Sequence, residues 1–127
     1  MTGITGPEAV LHDLANTIWR AARALQLTTE RDLQESLAEL LSSEGYAAER
    51  ERTLGPAERP DFLVDGGIAV EVKVNGTAAQ LERQLRRYLA HPEITGALVV
   101  TTRARHRSLA AVIGGKPVRV IWVASPF

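Results

Sequence analysis

Three residues in one short stretch are of types that could do chemistry together. They are Asp61, Glu71 and Lys73, within Arg59-Pro60-Asp61-Phe62-Leu63-Val64-Asp65-Gly66-Gly67-Ile68-Ala69-Val70-Glu71-Val72-Lys73-Val74. All three fall on odd numbers, whereas Phe62, Val64, Ile68, Val70, Val72 and Val74 are even and apolar. Side chains alternate faces along a strand, so this parity predicts two strands with one buried face. Asp65-Gly66-Gly67 is a turn signal between them. The length of the turn decides the chemistry. A two-residue Gly66-Gly67 turn would oppose Asp65 to Ile68 and Asp61 to Val72, with Asp61 on the apolar side. A three-residue loop Asp65-Gly66-Gly67 instead opposes Val64 to Ile68, Phe62 to Val70 and Asp61 to Glu71. The second register satisfies both burial and chemistry, and it is the one expected.

Opposed residues have Cβ atoms roughly 4.5–5.5 Å apart. Two carboxylates at that separation disfavour joint ionisation unless a cation lies between them. A hard divalent ion such as magnesium, held by one or two carboxylates with water and substrate phosphate, suits such a pair. Lys73 would then orient the attacking water or offset charge on the phosphate. The same charges on the wet face of a hairpin would also suit a solvated ion pair.

The chain that must position these residues has 127 of its own, enough for one domain with a real core. Its 15 basic and 15 acidic residues balance, so any attraction for a polyanion must be local. There is no cysteine, which removes disulfides, thiolate metal sites and cysteine nucleophiles and is compatible with a cytoplasmic location. No apolar run is long enough to span a membrane, and no signal peptide is expected. His12, His91 and His106 are scattered without zinc-ligand spacing.

Residues 7–26 read as a helix, with Pro7 in its first turn and Leu11, Leu14, Ile18, Ala22 and Leu25 at helical spacing. A second helix runs from a Thr29 cap to about Ser43, with Leu33, Leu37, Leu40 and Leu41 as its stripe and Gly45 as its terminator. Residues 46–54 read as an edge strand, followed by the hairpin. A helix from Thr77 to about Ala90, a strand over 97–102, a short helix over 105–113 ending at Gly114-Gly115, and a strand over 118–123 complete the order ααβββαβαβ. This predicts an α/β fold, a mixed β-sheet flanked by helices on both faces. Trp19 and Trp122 read as core.

Pro60-Asp61 and Glu71-Val72-Lys73 across a hairpin, with a helix before and a helix after, resemble the PD-(D/E)xK nuclease superfamily. The resemblance covers about residues 30–102 as the nuclease core, with residues 1–27 an additional N-terminal helix. Gln84 and Tyr88 resemble the Gln-x-x-x-Tyr helix motif of RecB-like members, and their spacing places them on one helix face. The resemblance implies a restriction-endonuclease-like fold and a magnesium- or manganese-dependent deoxyribonuclease. Asp61, Glu71 and the carbonyl of Val72 would hold the metal, Lys73 would serve the water, and Gln84 would support them.

The superfamily often carries an acid on the helix before the hairpin. Glu30 lies on the Leu33–Leu37 stripe, whereas Glu35 and Glu39 fall on the opposite face, so Glu30 is the better candidate. As a first-turn acid it would also complement the helix dipole. Arg83, Arg86 and Arg87 follow the motif on the next helix, and Arg103, Arg105, His106 and Arg107 cluster later. Arg83, Arg87, Tyr88, Arg103 and Arg105 are the expected contacts to DNA. Two other readings remain open: a nuclease-fold binding module without catalysis, and a homodimer assembled through the first helix.

Overall fold

The hairpin adopts the three-residue loop. Phe62 pairs with Val70, Leu63 with Ala69 and Val64 with Ile68. Asp65 and Gly66 both take left-handed backbone conformations, at φ 51° and 75°. Asp65 tolerates this because it is tied on both sides. Its N–H donates to the Ala47 carbonyl at 2.7 Å, and its Oδ1 accepts from the Ala47 N–H at 3.1 Å.

The computed structural model describes residues 6–123, so residues 1–5 of the expected N-terminal segment lie outside the described residues. The helices are α1 (Pro7–Arg20), α2 (Glu30–Ser43) and α3 (Ala78–Leu89). The strands are β1 (Ala48–Arg50), β2 (Phe62–Val64), β3 (Ile68–Lys73), β4 (Gly96–Thr101), β5 (Val112–Ile113) and β6 (Lys116–Trp122). They form a mixed sheet in the order β1-β2-β3-β4-β6-β5, with β3, β4 and β6 parallel and the other pairings antiparallel. No helix among the described residues is long and apolar enough to cross a membrane.

Both faces of the sheet are covered. On one, Phe62, Val64, Ile68, Val70 and Val72 pack with Leu11, Leu14 and Ile18 of α1 and Leu33, Leu37 and Leu41 of α2. On the other, Leu63, Ala69, Ala97 and Val99 pack with Leu81, Leu85, Tyr88 and Leu89 of α3. The expectation of one buried face therefore needs correction. Leu63 and Ala69 are the odd-numbered apolar residues that bury the second face under α3, and Glu71 goes with them.

Two helices start on side-chain caps. Thr29 accepts from the Asp32 N–H at 3.0 Å. Thr77 and Gln80 form a reciprocal capping box, which fixes the start of α3 just after β3.

Four expected boundaries shift. The first helix stops at Arg20, where the Ala21 N–H is shared between the Thr17 and Ile18 carbonyls, and a 3-10 turn over Ala22–Ala24 follows. The strand expected over 46–54 is only Ala48–Arg50, because Glu51 turns left-handed at φ 52°. The helix expected over 105–113 is a 3-10 turn over Ala104–Ser108 followed by β5. Gly114 and Gly115, read as a helix terminator, both have positive φ and make the two-residue turn joining Ile113 to Lys116. The last part of the chain thus reads βββ where βαβ was expected. Finally, Trp19 is 62% exposed rather than in the core, and Trp122 is half-buried.

Candidate functional site

Glu71 is 4% exposed and lies two residues before the end of β3. Asp61 is the residue immediately before β2, so the Phe62–Val70 pairing brings it level with Glu71. The Asp61 N–H lies 3.4 Å from Glu71 Oε1. Its carboxylate is held by β3: the Val72 N–H donates to Asp61 Oδ2 at 2.7 Å. That bond forms where β2 has ended and the edge of β3 would otherwise be bare. The Val72 carbonyl points to the same edge as its N–H, because both groups of one strand residue face the same neighbour.

Around Glu71 the chain supplies three side-chain donors. Tyr88 donates its hydroxyl to Oε1 at 3.0 Å. Gln84 donates its amide to Oε2 at 3.0 Å and to the Tyr88 hydroxyl at 2.8 Å. Lys73 Nζ lies 3.3 Å from Oε2, and its side chain is 26% exposed. Gln84 and Tyr88 are one turn apart on α3, which is why both reach the same carboxylate.

Burial raises the affinity of Glu71 for a proton, and the neighbouring Asp61 charge adds to it. Lys73 and Tyr88 oppose them, and the balance leaves Glu71 titrating at about 7. Asp61 is also raised, first by burial and then by the charge of Glu30, against the Val72 hydrogen bond and Lys73. Tyr88 is pushed up by burial and by the Glu71 charge, so it stays protonated as a donor.

Glu30 opens α2, half-buried, and is close enough to Asp61 for its charge to be felt there. One turn later, the Gln34 amide favours the ionised form of Asp61. Gln34 was not singled out in the sequence, although its spacing from Glu30 places both on one face. Glu35 is turned away, paired with Arg50.

The expected DNA contacts divide. Arg83 and Arg87 are exposed and lie one turn apart on α3. Neither has a carboxylate partner among the described residues, whereas Arg86 is paired with Glu82 at 3.0 Å. With Lys73, Asn75, Thr77 and Gln84, they line a cleft of about 370 Å³. Arg103 and Arg105 are exposed but tied by their Nε–H groups to the carbonyls of Val74 at 2.6 Å and Gly76 at 2.8 Å. They brace the loop from β3 to α3. The buried His106 ring bonds the same Gly76 carbonyl through Nε2 at 2.9 Å and Thr101 through Nδ1 at 2.6 Å. Tyr88 does not belong among the DNA contacts. It is 2% exposed, and its hydroxyl is spent on Glu71.

No family model, curated protein or solved structure matches this chain, so the geometry carries the functional reading. Among the described residues, no group of three or more His, Cys, Asp or Glu side chains is gathered to hold a metal ion. The donor chemistry nonetheless fits a hard divalent cation that uses two carboxylates and completes its shell with water. The Val72 N–H takes Asp61 Oδ2 and the Gln34 amide also reaches the Asp61 carboxylate, while Glu71 accepts from Tyr88, Gln84, Lys73 and the Asp61 N–H, so a cation would displace some of these donors.

Proposed function

We propose that the chain is a metal-dependent nuclease of restriction-endonuclease-like fold, a PD-(D/E)xK protein acting in the cytoplasm on DNA phosphodiester bonds. One observation carries the reading. A buried carboxylate, Glu71, and a half-buried one, Asp61, adjoin each other with a half-open lysine beside them, just before β2 begins and alongside the end of β3.

Asp61, Glu71 and the Val72 carbonyl would hold magnesium or manganese. When bound, the ion supplies charge stabilisation for the phosphate oxygens and acidifies the attacking water. Asp61 is set for this by the Val72 N–H, which fixes one carboxylate oxygen. Glu71 is set by Gln84 and Tyr88, which hold its plane from the α3 side. Lys73 reaches from that carboxylate towards solvent, where its ammonium positions the water or meets the phosphate. Arg83 and Arg87 line the adjoining cleft and neutralise the flanking backbone. Glu30 and Gln34 approach Asp61 from α2.

The test is cleavage of supercoiled, linear and branched DNA with magnesium. Asp61→Ala and Lys73→Ala should each abolish it, and activity surviving in both variants would refute the site assignment. A second reading, a nuclease-fold binding module without catalysis, draws on the three donors already bonded to Glu71. Calorimetry separates the two, because such a module has no need to bind a divalent ion.

A further inference from the structure

The parallel strands place a second feature at the same end of the sheet as Lys73. Lys73 pairs with Thr101 of β4, and Thr101 pairs with Trp122 of β6. At about 4.8 Å per strand, Trp122 lies roughly 10 Å across the sheet from Lys73. That is about three stacked nucleotides of a single strand at about 3.4 Å rise each. Beyond Trp122 a groove of about 410 Å³ wraps the outer edge of β6, lined by Asn16 and Trp19 of α1, by Arg107, and by Arg119 and Trp122.

The groove combines exposed aromatic surface with positive charge. Trp19 is 62% exposed, against the tendency of so large an apolar side chain to be covered. The Arg107 guanidinium lies over the Trp122 ring, 5.0 Å from its centroid. Trp122 is anchored by an Nε1–H bond to the Thr102 carbonyl at 3.3 Å. Among the described residues, no carboxylate lines the groove. β5 covers only Lys116 and Pro117, so among the described residues the outer side of β6 carries no strand from Arg119 onward. Val118 donates outward to Ala111 and Val123 inward to Thr101, so the N–H groups of Val120 and Trp122 face this open edge.

We infer that this groove binds single-stranded nucleic acid, with a base stacked on Trp19 and its phosphates against Arg107, Arg119 and the β6 edge. Stacking platforms set in a cationic groove are the physical requirement for holding unpaired bases, and bases inside a duplex cannot reach such a platform. Charge selects this occupant over a second copy of the chain. Self-pairing would bring the arginines of both copies together with no acid from the groove's described lining between them. The inference rests on the nuclease reading for its meaning. A strand held here and crossing the ends of β4 and β3 would deliver a phosphate to Lys73, making single-stranded DNA, or a single-stranded extension, the substrate class.

The chain has two tryptophans, so Trp122→Phe leaves Trp19 as sole reporter. Oligothymidylate titrated into this variant, with chelator present so that nothing is cleaved, should quench Trp19 fluorescence. A blunt duplex at equal phosphate concentration should not. Trp19→Ala, at an exposed position that the fold does not need, should weaken single-strand binding roughly tenfold. Arg119→Gln should lower the salt dependence by about 0.7 of a log unit per log unit of salt. No quenching, equal quenching by duplex, or a concentration-dependent dimer that buries Trp19 would overturn the inference. Because the readout needs neither metal nor turnover, it also stands apart from the nuclease reading. Quenching that persists while Asp61→Ala still cleaves would break the chemistry alone.

Discussion

The two faces of β3 are packed by the same means and used differently. Val70 and Val72 face α1 and α2 in a core made, among the described residues, of apolar buried side chains, with Tyr46 at its margin. Ala69, Glu71 and Lys73 face α3, where Leu81, Leu85 and Leu89 seal the near end and Gln84 and Tyr88 meet Glu71 at the far end. The first face is a large apolar contact, worth about 25 cal/mol per Å² of buried apolar surface. The second gives up part of that gain to hold a carboxylate out of water beside another carboxylate. A buried polar cluster of this kind costs stability unless every group is paired, and its members are. The difference teaches where the fold accepts a hydrogen-bonded polar cluster in place of apolar packing.

Substitutions on the two faces should therefore separate activity from stability. The largest effect is expected from Asp61→Ala and Lys73→Ala. Each should lower magnesium-dependent cleavage by about a thousandfold or more, as loss of a transition-state charge partner does, with little change in melting temperature. Leu37→Ala on the apolar face should behave in the opposite way. It should cost about 2–5 kcal/mol in urea unfolding while the metal requirement is unchanged.

The pH dependence sharpens the contrast. Glu71 has a folded-state pKa of about 7, raised above the ordinary 4.5. Between those values the native state binds more protons than the unfolded state, so stability falls as pH rises. The metal-free protein should lose a few kcal/mol, on the order of 2, between pH 4.5 and 8. Glu71→Gln should flatten that slope and raise the melting temperature at pH 8, whereas Val70→Ala should lower stability equally at all pH. A flat profile for the native chain would break the comparison.

The smallest effects should come from the supports. Tyr88→Phe keeps the packing and removes one donor, and should weaken metal affinity about tenfold as read by calorimetry. Arg83→Gln with Arg87→Gln should leave metal binding intact. The pair should reduce the salt dependence of DNA binding by about 1.5 log units per log unit of salt.

Much of this was legible in the chain. The parity of residues 61–74 fixes the register, because a one-residue slip would bury Asp61 on the apolar side. The Leu81-Leu85-Leu89 spacing identifies α3, and with it the shared face of Gln84 and Tyr88. The misreadings have physical causes. Leu63 and Ala69 were too few to announce a second buried face before α3 was seen to cover it. Gly114-Gly115 serves equally as a helix stop or a hairpin turn, and only the pairing of β5 with β6 decides between them. Glu51 ends β1 by a left-handed backbone that no residue-type preference foretells. Trp19 follows the helical spacing of the core yet faces outward, because α1 ends one residue later and none of the described residues packs over it. The roles of Arg103 and Arg105 depend on carbonyls about 29 residues earlier in sequence, a contact that local pattern cannot encode.

The central claim is that Asp61 and Glu71 together hold a divalent ion. It is tested most directly by titrating manganese into the native chain, Asp61→Ala and Glu71→Gln by isothermal calorimetry at pH 7. The account predicts one ion per chain, with release of a fraction of a proton from Glu71 because that group titrates at about 7. It predicts that binding is lost in both variants. Absence of binding to the native chain, or binding that persists undiminished in both variants, would contradict it.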